Sequence, residues 1–529
     1  MNTWPHWIVV PVVLPLLAGA VLVVIERTAE RAVRPVSLAA TLAGFGVALL
    51  LLSQADAGIV QTYLLGNWPA PFGIVFVLDR LSALMLVLTA ILALAALLWA
   101  LAGEDRRGAH FHALFQFQLA GLHGAFLTGD LFNLFVFFEV LLISSYGLLL
   151  HGGGRARLRA AVHYVALNLA GSALFLVAVS LLYAVTGTLN MADLASKVAA
   201  LTGTAAWLAQ TAGALLFVVF TLKAALLPLS FWLPQTYGSA PAPVAALFAV
   251  MTKVGIYASL RVSTLLFGPG AGEAAQLADP ILPMAAMATL AFAALAALGV
   301  KRLRLLASYA IIASAGTLLI AFGLGSQATI AGGAFYLVNT TLVTAALFML
   351  ADWVQRARAE AGDRVTAQRD YPGRLGLGAL FFGVAIGAAG LPPLAGFLGK
   401  VLVLQGAWPL PLGAWVFAVV LTASLLLVVA FARVGITLFW EYHAPQAAES
   451  AAAARAVRFN VPSLERAGFA VLVVSALAAA LFAGRLAEYT QALAEQLTTR
   501  TAYLESVRQQ TPAPPAFDVR REMRERGGK

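Results

Sequence analysis

The sequence contains no cysteine. Without thiols the chain cannot form a disulfide bond, a thiolate metal site, an iron–sulfur cluster or a cysteine nucleophile. The GxxxxGK[ST] and HExxH motifs are absent as well, so neither that phosphate-binding loop nor that zinc site is expected. We therefore predict no cofactor, and we expect an ion gradient or a partner to supply the energy for any work done by this chain.

Charged residues are scarce. Only 11% of the 529 residues are charged and 61% are hydrophobic, whereas an ordinary soluble protein carries about 25% charged residues. A membrane-crossing helix needs about 20 apolar residues, and the sequence has about fourteen such runs. They lie near residues 6–25, 35–54, 78–101, 111–128, 130–150, 161–186, 208–228, 243–265, 279–299, 304–325, 329–351, 376–407, 411–440 and 467–489. Because the strands of a β-barrel would show short alternating segments instead, the predicted fold is an all-α polytopic membrane protein.

The basic residues are distributed unevenly between the two sides of the membrane. Loops after odd-numbered spans hold 19 Lys and Arg residues, while loops after even-numbered spans hold three, Arg80, Lys197 and Arg261. The positive-inside rule places the odd loops in the cytoplasm and both termini outside. The formal net charge of +10 then reflects membrane topology, and it does not indicate nucleic-acid binding.

One glutamate and three lysines interrupt apolar runs: Glu139, Lys223, Lys253 and Lys400. Titratable groups in hydrocarbon are costly and mark functional sites by default. A lysine can lose its proton when it is desolvated, whereas arginine stays charged, and only Arg433 among the arginines is expected inside a span. We therefore predict a proton path in which Glu139 pairs with Lys223, Lys253 relays protons laterally, and Lys400 exchanges protons with one side.

Two spans contain proline and are predicted to be broken. Pro228 follows Lys223 closely in span 7, and Pro392 and Pro393 lie near the middle of span 12, shortly before Lys400. Proline removes a backbone hydrogen bond within a helix, and non-helical backbone at membrane depth is tolerated where it lines a polar cavity. The breaks therefore predict polar backbone beside Lys223 and Lys400.

The breaks also predict an internal repeat of two five-helix units, spans 4–8 and 9–13. The broken helix is the fourth in each unit, and the fifth helices share the pattern Lys-Val-Gly-Ile at 253–256 and Arg-Val-Gly-Ile at 433–436. An odd number of helices per unit inverts the second copy, an arrangement found in transporters. The predicted organisation is helices 1–3 over 1–110, the first repeat over 111–265, the second over 279–440, a loop and helix 14 over 441–489, and a polar segment over 490–529.

Several weaker candidates carry alternative interpretations. His123 could relay protons or simply bond to a neighbour, and Asn339 and Thr344 in span 11 could bridge water between Lys253 and Lys400 or act as interhelical contacts. Arg433 favours a structural or field-setting role because it cannot give up its proton. Two further groups are interpreted structurally: Asp130 with Asn133 as a helix cap, and Asp79 with Arg80 as residues at the rim of span 3.

Four stretches carry a family resemblance. They are LTGDLFNLFVFFE at 127–139, TGTLN at 186–190, the run from 222 through 243, and GLPPLAGF at 390–397. Together they resemble the large antiporter-like membrane subunits shared by respiratory complex I and the multisubunit Mrp-type (Pha-type) cation/proton antiporters. The wording at 126–148 is closer to the D-type antiporter subunits than to the complex I proteins.

The resemblance implies fourteen helices, inverted repeats of helices 4–8 and 9–13, and a proton path through Glu139, Lys223, Lys253 and Lys400. It also implies a bacterial cell-membrane complex with further subunits, among them a large A-type and a small hydrophobic C-type subunit, that moves Na⁺ or K⁺ outward and protons inward. The chain departs from the family where relatives often carry His and Lys in span 11, because Asn339 and Thr344 stand there.

Two other functions remain open at this point. The chain could be the corresponding pump module of a complex I or a membrane-bound hydrogenase, or a scaffold whose buried charges carry no protons. The polar segment after 490 is expected to be a surface helix followed by a loose tail, with a docking arm for another subunit as the alternative.

Overall fold

The computed structural model describes residues 5–275, 281–369, 371–443 and 460–509. This part of the chain is built of helices joined by short connections. The helices of its first half are α1 Val10–Thr28, α2 Glu30–Asp56, α3 Arg80–Ala100, α4 Phe111–Leu127, α5 Leu131–Leu150, α6 Arg155–Thr186, α7 Met191–Ala200, α8 Gly203–Lys223, α9 Trp232–Ser239, α10 Ala242–Phe248 and α11 Met251–Leu266. Those of its second half are α12 Ile281–Leu298, α13 Leu303–Gly323, α14 Gln327–Ala357, α15 Arg374–Ala389, α16 Ala395–Ala407, α17 Gly413–Phe439, α18 Ser463–Leu481, α19 Ala483–Thr499 and α20 Thr501–Arg508.

Two small sheets complete the described structure. Strands β1 Gln61–Leu64 and β2 Val75–Leu78 pair antiparallel between α2 and α3. The very short strands β3 Gln368–Arg369 and β4 Tyr442–His443 pair in parallel at loops that follow α14 and α17. The strands therefore lie in the connections between helices, and none of the described strands belongs to a membrane-spanning segment.

Twelve helical segments of the described chain are long and apolar enough to cross a membrane. They are α1, α2, α3, α5, α6, α8, the pair α10–α11, α12, α13, α14, α17 and α18. The other two predicted spans correspond to α4, which has 17 residues, and to the pair of shorter apolar helices α15 and α16. The prediction of an all-α, multi-pass membrane fold is confirmed, while the count of fourteen spans and the inverted repeat stay predictions.

The helices α14 and α10–α11 form the interior of the protein. The most apolar 18-residue stretch of each is completely buried, and the corresponding stretch of α3 is largely buried. The helix α14 contacts α10, α13, α15, α16, α18 and α19. By contrast, only a minor part of the most apolar stretch is buried in α1, α2, α17 and α18, and these helices expose several large apolar side chains. This is expected for helices that face lipid or other membrane proteins.

Two membrane helices are interrupted near the predicted positions. The first break lies between α8 and α9, and the second between α15 and α16. The first begins earlier than expected, because α8 already ends at Lys223, five residues before Pro228, and Ala225 then adopts a positive φ of 59°. The second begins at Gly390 with φ 73°, a conformation that glycine adopts at little cost, immediately before Leu391 and the two prolines.

Two helix starts lie together on the side of the predicted external loops. The carboxylate of Asp130 accepts a hydrogen bond from the backbone N–H of Asn133 at 2.8 Å, so the prediction of a helix cap for α5 is confirmed. Asn190 caps α7 in the same way. The segments before these helices pair through the Leu131 N–H and the Leu189 carbonyl at 2.9 Å, which fixes α5 and α7 relative to each other.

A buried ion pair overturns two sequence-based expectations. Arg261 in α11 donates two hydrogen bonds to Asp79, at 2.5 and 2.9 Å, and both residues are buried. Asp79 lies immediately before α3, where the sequence placed it, but it is buried, whereas Arg261 belongs to α11 and not to a loop. The expectation that only Arg433 lies inside a span is also wrong, because Arg261 belongs to the buried membrane segment Ala242–Leu266.

The C-terminal region is helical beyond the last membrane span. The predicted span 467–489 is divided at Phe482, where α18 ends and α19 begins. The helix α19 packs against α14 and α3 and buries Leu493, Ala494 and Leu497 while its other face stays exposed. Residues 510–529 lie outside the described residues, so the loose tail or docking arm expected at the end of the polar segment stays a prediction.

Candidate functional site

Glu139 lies on α5 with its side chain partly buried. Its carboxylate accepts a hydrogen bond from the Ser172 hydroxyl of α6. The sequence did not single out Ser172, because serine is common in membrane helices as an ordinary contact between helices. The contact gives the carboxylate a fixed donor inside the membrane region.

Lys223 is the last residue of α8, and its side chain is buried. The ammonium group lies 4.9 Å from the centre of the Phe138 ring, next to Glu139 in the sequence. Among the described residues it has no hydrogen-bond partner. The predicted direct pair with Glu139 is therefore not formed within ion-pair distance, although Glu139 is close enough to act electrostatically on Lys223.

Lys253 lies in α11 and is completely buried. Its ammonium group donates to the hydroxyl of Ser314 on α13 at 3.0 Å. The Ser314 hydroxyl in turn donates to the Ile311 carbonyl at 2.7 Å. The lysine is thus held by a helix of the second predicted repeat, the lateral direction that the sequence suggested for its proton transfer.

Lys400 lies in α16, and two groups surround its buried ammonium. The lysine donates to the Ala389 carbonyl at 2.7 Å and to the Ser424 hydroxyl at 2.8 Å. Ala389 is the last residue of α15, so its carbonyl is free of an intrahelical partner because of the break. A cation at a helix C-terminus is also favoured by the helix dipole. The backbone freed by the break near Pro392 and Pro393 therefore contacts Lys400 directly.

The two predicted bridging residues of α14 behave differently. The Asn339 amide nitrogen donates to the Gly387 carbonyl of α15 at 3.1 Å, and its amide oxygen is buried without a partner among the described residues. The Thr344 hydroxyl donates to the Thr340 carbonyl of its own helix at 2.7 Å. Asn339 thus has free acceptor capacity near the α15–α16 break, whereas the hydroxyl proton of Thr344 is already used.

A further hydroxyl group connects α13 and α14 between these lysines. The Tyr336 side chain of α14 lies close to the hydroxyl groups of Thr317 on α13 and Thr340 on α14. Thr317 lies one helical turn beyond Ser314, and Thr340 is adjacent to Asn339. The sequence did not predict a role for Tyr336, because the position of its hydroxyl between α13 and α14 depends on how the two helices pack.

The remaining candidates lie outside this set of contacts. His123 on α4 is buried, and its Nδ1 lies 2.7 Å from the Pro11 carbonyl of α1, which matches the alternative of a histidine bonded to a neighbour. Arg433 on α17 is exposed and donates to the Val300 carbonyl at 3.0 Å. Neither contacts Glu139, Lys223, Lys253 or Lys400 in the described hydrogen bonds.

Chemically, the arrangement is a set of buried amines and one carboxylate in apolar helices. Each group can exist charged or neutral, and Lys253 and Lys400 have hydroxyl or carbonyl oxygens at hydrogen-bond distance. Within the described residues there is no group of three or more His, Asp or Glu side chains that could hold a metal ion. Buried amines beside hydroxyl and carbonyl oxygens are suited to proton transfer between nitrogen and oxygen atoms.

These features define a helical membrane protein with titratable groups in its interior. The family described as NADH:quinone oxidoreductase/Mrp antiporter, TM, matches residues 128–426. The chain belongs to this family, and the predicted resemblance is confirmed. The matched range contains Glu139 and all three buried lysines.

Over most of its length the chain is similar to named antiporter proteins. It is 42% identical to a protein of Rhizobium meliloti (strain 1021) that is named as a probable D-type subunit of a K⁺/H⁺ antiporter, covering 96% of this chain and 98% of that protein. It is 36% identical to the D-type subunit of a Na⁺/H⁺ antiporter of Bacillus subtilis (strain 168), covering 82% and 87% respectively. In the structure of the Mrp complex from Dietzia sp. DQ12-45-1b, one polypeptide is 26% identical with a TM-score of 0.83, and the match covers 96% of this chain and 100% of that polypeptide.

Proposed function

We propose that this chain is the proton-translocating membrane subunit of a multisubunit Na⁺(K⁺)/H⁺ antiporter in a bacterial inner membrane. The observation that carries the proposal is the enclosure of Lys223, Lys253 and Lys400 within apolar helices, where a charge without a function would be costly. The names of the relatives, one from a K⁺ antiporter and one from a Na⁺ antiporter, support the class of transport.

The Glu139–Lys223 region is the proposed coupling element. A buried ammonium without a hydrogen bond is destabilised relative to its neutral form or to a paired ion. Lys223 has no hydrogen-bond partner among the described residues, and the Glu139 carboxylate is bonded to the Ser172 hydroxyl and not to Lys223. Movement of Glu139 toward Lys223 would stabilise the charged lysine, and its return would favour release of a proton.

The lateral step would run from Lys253 to Lys400 through α13 and α14. Ser314, the contact of Tyr336 with Thr317 and Thr340, and the free oxygen of Asn339 provide polar groups along this route. The described hydrogen bonds do not join these groups into one chain, so water has to complete the route. Water would then take the place of the side chains that relatives often carry in span 11.

The chain is proposed to act together with other membrane subunits, among them a large A-type and a small C-type subunit. The exposed apolar side chains of α1, α2, α17 and α18 support this proposal, since they leave broad surfaces for lipid and protein contacts. The cytoplasmic position of the odd loops, and the external position of both termini, are part of the proposal. The path of the cation is not assigned to this chain.

The proposal is tested with the complete antiporter complex in everted membrane vesicles. Glu139→Ala and Lys223→Ala should each abolish cation-dependent proton movement while the complex assembles in normal amount. Lys197→Ala is the matched control, because Lys197 lies on α7 and forms a partly exposed pair with Asp193. Transport retained by either of the first two variants would overturn the proposed relay.

Purification of the native complex separates this function from that of a redox-driven pump. The antiporter proposal expects hydrophobic partner subunits without redox centres. Partners carrying iron–sulfur clusters would contradict it and would favour the complex I or hydrogenase alternative. Full tolerance of salt and alkaline pH by cells that lack all four titratable groups would favour a scaffold.

A further inference from the structure

An aromatic cluster lies between α5, α6 and α9. The rings of Tyr146 and Tyr164 meet edge to face with centroids 5.3 Å apart. Tyr164 stacks on Trp232 with centroids 5.3 Å apart, and Trp232 meets Tyr237 at 5.9 Å. The cluster thus links a helix of the Glu139 region to the second half of the broken helix.

Two of the three tyrosine hydroxyl groups in this cluster have no hydrogen-bond partner among the described residues. The Tyr164 hydroxyl lies 2.9 Å from that of Ser145. The Tyr146 and Tyr237 hydroxyl oxygens are buried and have no partner in the described part of the protein. Buried polar groups are normally hydrogen-bonded to protein or to ordered water, so these two hydroxyls indicate positions where water can bridge.

One end of the cluster reaches the proposed coupling element. Tyr146 follows Glu139 by seven residues on α5, about two turns and about 10.5 Å along the same helix face. The Trp232 indole N–H donates to the Leu222 carbonyl at 3.1 Å, and Leu222 precedes Lys223. Tyr146 thus lies on the same helix as Glu139, and Trp232 is hydrogen-bonded to the backbone next to Lys223.

The residues that follow Tyr237, at the other end of the cluster, line a polar cavity on the side of the odd-numbered loops. Tyr237 is followed directly by Gly238 and Ser239, which line a cavity of about 260 Å³ together with Glu104, Arg157 and Asp352. A second cavity of about 460 Å³ shares Ser239 and is lined by Trp232 and Gln235. Since a water molecule occupies about 30 Å³ in the liquid, each cavity can hold several.

We infer that the hydroxyls of Tyr146, Tyr164 and Tyr237, with bridging water, carry protons between this polar cavity and the Glu139–Lys223 element. The inference rests on the proposed function and adds the access route to it. Each hydroxyl passes its own proton to the next oxygen and takes one from the preceding oxygen. The tyrosines therefore stay neutral, no bond other than O–H is formed or broken, and the net result is one proton moved.

Removal of single hydroxyls tests the route, because phenylalanine keeps the ring contacts. Tyr146→Phe and Tyr237→Phe in the complete complex should each slow cation-dependent proton movement by roughly tenfold or more. For comparison, a positioned proton-transfer group typically contributes about 10²–10⁴-fold to a rate. Tyr183→Phe is the matched control, since Tyr183 lies on α6 and is exposed. The solvent deuterium isotope effect on the rate should rise in the first two variants, because proton delivery then limits transport.

The outcomes separate this inference from the proposed function. If Glu139→Ala and Lys223→Ala abolish transport while both tyrosine variants keep the wild-type rate and isotope effect, the access route is wrong and the relay stands. If the glutamate and lysine variants keep transport, the proposed function fails. If a tyrosine variant does not assemble, Tyr164→Phe replaces it, because it removes another hydroxyl of the proposed route while keeping the ring contacts; an unchanged rate and isotope effect there would overturn the route.

Discussion

At the scale of single residues, the buried pair of Asp79 and Arg261 contrasts with the unpaired Lys223. Arg261 cannot give up its charge, and it is compensated by two hydrogen bonds to one carboxylate. Lys223 can give up its charge and is left without such compensation among the described residues. The protein thus pairs the fixed interior charge of Arg261 and leaves the switchable charge of Lys223 unpaired among the described residues, which is the pattern expected if Lys223 handles protons and Arg261 does not.

The substitution Asp79→Asn should destabilise the protein by about 3–5 kcal/mol, because it leaves the buried guanidinium of Arg261 without a counter-charge. Asp193→Asn is the control, since it breaks a partly exposed pair with Lys197 that should contribute about 0–1 kcal/mol. Thermal unfolding of the detergent-solubilised complex measures both. Equal, small shifts for the two variants would show that the buried pair does not stabilise the fold.

At the scale of helices, the lengths of the apolar runs and the positions of proline predicted the membrane helices and their breaks. The side-chain partners could not be predicted in this way. The membrane helices follow from runs of about 20 apolar residues, and both breaks lie close to Pro228 and to Pro392. The first break was placed too late because proline marks the region of a break, while the turn at Ala225 decides where the helix ends.

The contacts of the lysines could not be predicted from the sequence. Lys253 and Ser314 are 61 residues apart, and the sequence contains other serines that bond to their own helix. Likewise, nothing in the local sequence connects Asp79 with Arg261, 182 residues away. Such pairs depend on how helices pack, so the titratable residues of the site could be predicted but their partners could not.

A loop carboxylate ties the helices α2 and α4 together. Asp105, between α3 and α4, accepts hydrogen bonds from Arg34 at 2.6 and 2.8 Å and lies 3.0 Å from the His112 imidazole. Burial alone would raise the pKa of Asp105, but the hydrogen bonds and charges of His112 and Arg34 outweigh it and hold that pKa below its ordinary value.

This lowered pKa predicts how stability depends on pH. The contribution is complete above the unfolded-state pKa of about 3.9 and is lost as the pH falls through the folded-state pKa. Asp105→Asn should therefore lower the unfolding temperature at pH 7, with a loss of about 1.5–3 kcal/mol for hydrogen bonds to a charged group. The difference from wild type should shrink as the solution is acidified toward about pH 3. A difference independent of pH in thermal unfolding would contradict this account.

At the scale of the whole molecule, the described fold is a buried centre of α10–α11 and α14 enclosed by helices with exposed apolar faces. The membrane class, the family and the likeness to antiporter subunits were all predictable from composition and motifs, because apolar length and the stretches around Glu139 are properties of the sequence itself. The side of the membrane on which each loop lies still rests on the distribution of basic residues.

The absence of native cysteine makes this orientation directly testable. Ala57 after α2 and Ala109 before α4 are both exposed. In intact cells, Ala57→Cys should react with a membrane-impermeant maleimide, while Ala109→Cys should react only after the membrane is opened. The reverse pattern would invert the proposed topology and move both termini into the cytoplasm.

The most direct test of the central claim replaces switchable charge with fixed charge. Lys253→Arg and Lys400→Arg keep a cation at each site but remove the ability to release a proton, and Arg433→Lys is the control on the exposed face of α17. In proteoliposomes that contain the complete complex, proton movement driven by a cation gradient is measured with a pH-sensitive dye. The account predicts loss of transport in both arginine variants and wild-type transport in the control, whereas undiminished transport in the arginine variants would contradict it.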